Sequence, residues 1–188
     1  TYCLLAVMAA APFEFGQLES KARILMIVQI FALTFAFPLL AVVIMYALEL
    51  VKSLKLQERH DRILPYIATG FFYLWLFVVL HKVGNFPTFI NSIMLGATIS
   101  VFLSFLVNVT TFKISMHTVG AGSLVAVFLL LLPYADYNVL WMFLLAILVA
   151  GIVGTSRRIL SAHDNHEVYG GYLVGFTSQV IALNIIGY

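Results

Sequence analysis

Arg157, His163 and Glu167 fall within one short polar stretch, residues 156–171, which reads SRRILSAHDNHEVYGG. His163 and Glu167 are four positions apart, a spacing that on a helix puts a carboxylate one turn from an imidazole on the same face. A carboxylate there accepts the Nδ1–H, sets the tautomer and leaves Nε2 as an outward lone pair, the logic of an oriented base or nucleophile. Arg157, six positions before the histidine, brings a planar and permanently charged fork suited to phosphate oxygens. The ordinary alternative for such charges is a solvated loop at a membrane surface.

Two further stretches carry related groups. In KISMH, Lys113, Ser115 and His117 stand just before a helix, whose free N–H groups already favour an anion. In KLQERHDR, Lys55 and Arg62 are six residues apart in the sense K-x6-R. Basic residues that flank membrane helices often serve only to set orientation, and that reading suits Lys52, Arg59 and Arg158. Asp61, Asp164 and His166 receive no role from their spacing, and His60 and His81 read as interfacial residues.

The elements that must position these groups are apolar. Of 188 residues, 63% are hydrophobic and 10% charged, and the mean hydropathy is +1.06. Soluble domains are only about half apolar. Six apolar blocks, 24–48, 63–80, 86–108, 118–135, 138–155 and 168–188, approach or exceed the roughly 20 residues that cross a bilayer. They lack an alternating polar face, which disfavours barrel strands, and backbone groups in lipid must pair within their own segment. The expected fold is an all-α integral membrane six-helix bundle, a single domain over residues 1–188. Residues 2–12 are apolar but short, and read as the end of a helix that begins upstream. A net charge of +2 without a basic patch points away from nucleic acid. With Cys3 as the only cysteine, an intrachain disulfide and a thiolate metal site are both excluded.

Crossing parity then sorts the connections. If the block ending near residue 48 reaches one side, 52–62, 111–117 and 156–167 all return to that side. Three polar stretches therefore share one end of the bundle.

The residues Lys55-x6-Arg62, Ser115-x-His117 and Ser156-Arg157-x5-His163-x3-Glu167 resemble the three-part signature of the type 2 phosphatidic acid phosphatase superfamily, which is related in its active site to vanadium haloperoxidases. That signature reads K-x6-R-P, P-S-G-H and S-R-x5-H-x3-D. The third part alone arises by chance in a chain of this length on the order of once in a thousand. Ile63 stands where the first part has proline, Ile114 and Met116 replace the proline and glycine of the second, and Glu167 replaces the final aspartate.

The resemblance implies a membrane lipid phosphatase that works through a phosphohistidine, without metal or cofactor. His163 is then the nucleophile, Glu167 its orienter, and His117 the acid that protonates the leaving alcohol and later activates water. Lys55, Arg62, Lys113, Ser115, Ser156 and Arg157 bind the phosphoryl group. It implies an amphiphilic lipid phosphate as partner, and phosphatidate, phosphatidylglycerol phosphate, undecaprenyl diphosphate and lipid A phosphate all fit. It also implies a bacterial inner membrane with the site facing the periplasm. Seven of ten Lys and Arg lie on the motif side, which alone would make it cytoplasmic; assigning Lys55, Arg62, Lys113 and Arg157 to phosphate removes that bias. A degenerate lipid-binding protein and a transporter are the competing classes. A transporter would place its charges near mid-membrane.

Overall fold

The computed structural model describes residues 20–53, 58–83, 88–134 and 139–187. Lys55 and the connections GNFP (84–87) and most of YADYN (134–138) lie outside them. The described residues form six helices and no strand, as the apolar blocks require. Helix α1 runs Ser20–Phe31, passes through a π-helical turn at Ala32–Ala36, and continues as Phe37–Ala47. A 3-10 turn at His60–Arg62 leads into α2, Ile63–Val83. Then come α3 (Thr88–Thr110), α4 (Met116–Leu131), α5 (Leu140–Ile159) and α6 (Asn165–Ile186). Five of the six are long and apolar enough to cross a membrane; α4 is a shorter apolar helix of 16 residues. The protein is a multi-pass helical membrane bundle.

Helix boundaries depart from the apolar blocks at their polar ends. The fourth helix stops at Leu131, two residues before Pro133, instead of running to 135. Helix α5 continues past 155 to Ile159 and carries Ser156 and Arg157 in its last turns. Helix α6 begins at Asn165 instead of 168. Hydropathy marks the lipid-facing length, whereas capping groups decide where the hydrogen-bond ladder begins and ends.

The π turn in α1 has a local cause. Pro38 has no N–H to offer the carbonyl of Thr34, four residues earlier, and Tyr73 Oη of α2 donates to that carbonyl at 3.4 Å. Beyond this point α1 runs against α2 and packs extensively against no other helix.

Helix α6 is the centre of the bundle. It packs most closely against α4 and next against α3, while α2 covers α3 and α5 covers α4. Lipid tails supply no hydrophobic drive between helices, so close approach of small residues must hold them. A Cβ on Gly171 would strike Thr118 Oγ1, and one on Gly175 would strike the carbonyl of Val119. Ser123 Oγ of α4 donates to the carbonyl of Gly175 at 3.1 Å, pinning the same contact. A large apolar cluster that includes Met26, Ile30, Leu76, Leu80, Ile90 and Phe128 fills one end of the bundle. A smaller cluster of Tyr66, Val101, Ile114 and Val119 lies beneath the polar end.

Candidate active site at the polar end of the bundle

The third stretch is shaped by two consecutive helix caps. Helix α5 ends in a double turn in which Ser161 N–H donates to Arg158 O at 3.0 Å and Ala162 N–H to Arg157 O at 3.1 Å. That is a Schellman motif, and its left-handed position is taken by Ser161 at φ 50°. Three residues later Asp164 caps α6 in an extended conformation, within a capping box whose other member is Glu167. Asp164 N–H donates to Glu167 Oε2 at 3.2 Å.

His163 therefore lies outside the helix, in the turn before its cap. Its expected place on one helical face with Glu167 is corrected: the pair meets because the capping box bends Glu167 back over the helix start. The contact itself is close, 2.7 Å between His163 Nδ1 and Glu167 Oε2. A carboxylate can only accept, so Nδ1 carries the proton and Nε2 the lone pair. Both residues are 8% exposed.

The second stretch docks directly on the third. Lys113 Nζ donates to Ala162 O at 3.1 Å and lies 3.8 Å from Glu167 Oε2. Ser115 N–H donates to Glu167 O at 3.3 Å. Ser115 is the N-cap of α4, yet its side chain makes no capping bond; Oγ is buried without a hydrogen-bond partner among the described residues. The first amides of α4 are thus left without a side-chain cap, as an anion site needs. His117, in the first turn of α4, is exposed.

The first stretch joins through Arg62, whose Nη1 donates to Ile114 O at 2.9 Å. Asp61 is buried and its Oδ2 accepts from Lys52 N–H at 3.3 Å. Crossing parity alone had brought these three stretches to one end, and the described residues of all three meet there.

They border a cavity of about 1060 Å³. Arg62, Lys113, His117, Arg157 and His163 supply its basic and imidazole lining, with Ser161 beside them. Phe35, Pro38, Leu39 and Val42 of α1 and Pro65 and Tyr66 of α2 supply a mainly apolar wall, which also includes Thr34 and Thr69. The Nε of Arg157 is buried and has no hydrogen-bond partner among the described residues. Not every expected residue reaches the cavity. Ser156 Oγ donates to Ile152 O at 2.7 Å within its own helix, and Ser115 and Glu167 lie behind the lining. Burial holds His163 below its ordinary value of 6.5, the Glu167 hydrogen bond opposes this, and the charges of Arg62 and Lys113 reinforce it.

Several residues with no role in the sequence reading prove to hold the site. Asp164 closes the capping box, a D-x-x-E pattern legible in advance. Asp61 and Ser161 hold turns through contacts that no spacing rule announces. His166 is exposed and meets the ring of Phe112 edge-on at 5.2 Å. His81 stacks on Phe77 at 5.6 Å. Among the described residues, Asp164, His166 and Glu167 form one group whose donor atoms come within 4.8 Å of one another. Asp164 and Glu167 already serve as cap acceptors, and Lys113 stands beside Glu167, so a cation there would compete with bonds already made.

Comparison with family models, curated proteins and solved structures returns no match to this chain.

Proposed function

We propose that the protein is a membrane lipid phosphate phosphatase that works through a phosphohistidine, as its resemblance to the type 2 phosphatidic acid phosphatase superfamily implies. One observation carries the reading: two histidines and three cations border a single cavity whose other wall is mainly apolar. Three cations in one place favour a multiply charged anion, and the wall along α1 suits the hydrocarbon part of the same substrate. The competing transporter reading asks for charges near mid-membrane, whereas these gather at helix ends.

In the first step His163 Nε2 attacks phosphorus. An N–P bond forms, and the P–O bond to the lipid alcohol breaks as His117 gives that oxygen a proton. In the second step His117 takes a proton from water, whose oxygen attacks phosphorus. The N–P bond breaks, orthophosphate leaves, and His163 returns to its neutral form. General acid–base assistance of this kind contributes ~10²–10⁴ in rate. Glu167 holds the imidazole ring and offsets the positive charge that it gains in the phosphoenzyme. Arg62, Lys113 and Arg157 gather the phosphoryl oxygens and stabilise charge in the transition state; Lys55 joins them by its place in the K-x6-R pattern. The reading includes a bacterial inner membrane with this end of the bundle in the periplasm. Accessibility labelling of cysteines placed at 52–62 and 81–85 distinguishes the two orientations.

The test is release of orthophosphate from a panel of lipid phosphates by protein in detergent, with EDTA present throughout. Activity under chelation supports the reading. Activity that disappears with EDTA and returns with magnesium would oppose the metal-free mechanism and direct attention to Asp164, His166 and Glu167. Absence of activity on every lipid phosphate would favour a degenerate lipid-binding protein.

A further inference from the structure

Arg59 touches nothing in the cavity, yet it is bound to the end of a helix that is distant in sequence. Its Nε donates to the carbonyl of Asn108, and its Nη1 donates to Thr111 O at 3.0 Å. Asn108 replies: its Nδ2 donates to the Arg59 carbonyl at 3.0 Å. The carbonyls at the end of α3 lack intrahelical donors, and a guanidinium fork can serve two of them at once. Asn108 is fully buried, so its amide is fixed by packing before it meets Arg59.

The Arg59 carbonyl is the pivot of this arrangement. It accepts from Asn108 Nδ2, and it also accepts the N–H of Arg62 at 3.4 Å as the 3-10 turn begins. Arg62 in turn reaches Ile114 O, in the segment that runs from α3 to the start of α4. Two stretches that carry site residues are thus tied at two points, one in the cavity lining and one behind it. The ammonium of Lys cannot reproduce this, since its donors do not form a planar fork.

We propose that Arg59 and Asn108 form a clasp that sets the position of Arg62 in the phosphate site. Arg59 is accordingly a positioning residue and not a simple orientation charge. The part concerning turnover rests on the phosphatase reading; the part concerning the placement of Arg62 does not.

The experiment has two arms, and Arg59 is suited to it because it is exposed and its removal leaves no hole in the core. In the first arm, protein in detergent is treated with phenylglyoxal, and modification of each arginine is followed by peptide mass spectrometry. In Arg59→Ala and Arg59→Gln, the rate at Arg62 should rise about fivefold or more, while that at Arg157 stays unchanged, since the contacts differ by position. Arg59→Lys should fall between these and wild type. An unchanged rate at Arg62, or an equal rise at every arginine, overturns the clasp. In the second arm, Arg59→Ala should lower kcat on a lipid phosphate about tenfold with little change in KM, as expected for a group that acts through transition-state charge. The same substitution in an Arg62→Ala background should add less than about twofold. Full additivity would show a general structural effect and overturn the proposal. If the labelling result holds while wild type hydrolyses no lipid phosphate, the clasp stands and the phosphatase reading falls.

Discussion

His163 Nδ1 lies 2.7 Å from Glu167 Oε2, and the same oxygen accepts the N–H of Asp164 at 3.2 Å. One carboxylate oxygen therefore begins helix α6 and orients the proposed nucleophile. Helix capping and site geometry are here a single interaction, so changes in either should disturb both.

This shared oxygen leads to a prediction for Asp164→Ala. Loss of a capping side chain costs about 1 kcal/mol. The backbone N–H that donates to Glu167 Oε2 remains, but the Glu167 N–H loses its acceptor in the capping box, which loosens the first turn that carries Glu167. Thermal unfolding should shift down modestly, while turnover should fall by more than that loss of stability explains. A variant with a lowered melting temperature and undiminished kcat would show that the cap does not position Glu167.

The pH dependence has a definite sign. His163 must be neutral to attack, and burial lowers its pKa from 6.5. The acidic limb of kcat/KM should therefore lie below pH 6.5, with activity retained as pH falls through that value and lost only further down. Glu167 is the group that raises the pKa of His163 against burial. In Glu167→Gln the limb should move to still lower pH, with a reduced plateau. A limb that moves upward in Glu167→Gln would contradict the charge assignment.

The two histidines separate by the step each serves. His163→Ala should abolish turnover and the acid-labile phosphoenzyme together. His117→Ala should slow both steps but recover part of the first with a nitrophenyl phosphate, whose leaving group needs little protonation. Acid-quenched labelling with radioactive substrate reads this directly. An adduct that survives in His163→Ala would place the nucleophile elsewhere.

Ser161 offers a test of the turn that delivers His163. Its φ of 50° is a left-handed conformation that costs an ordinary side chain about 1 kcal/mol and glycine almost nothing. Ser161→Gly should keep full activity and match or exceed wild-type stability. Ser161→Val should lose stability by about 1–2 kcal/mol, and chemical denaturation of the two variants in detergent measures the difference. Equal stability of both would mean that residue 161 does not hold the left-handed conformation of the Schellman turn in detergent.

Much of the architecture was legible because lipid leaves few choices. A long apolar run must pair its own backbone, so composition alone determines helices, their approximate number and, through crossing parity, which connections share an end. Residue spacing marked Arg157, His163 and Glu167, and the family resemblance added Lys55, Arg62, Lys113, Ser115, His117 and Ser156, since their chemistry depends on side-chain type. Tertiary structure decided how they meet. The turn before α6 took His163 out of the helix, because capping by Asp164 stops the ladder at Asn165, a local competition that periodicity does not register. It left Ser115 buried behind the lining, where α4 packs closely on the glycines of α6, whereas Ser156 turns back on Ile152 by a bond within its own helix. It also joined Arg59 to Asn108 across 49 positions. Such a contact joins backbone carbonyls to side chains, and no pattern along one strand of sequence encodes the distance between two helix ends.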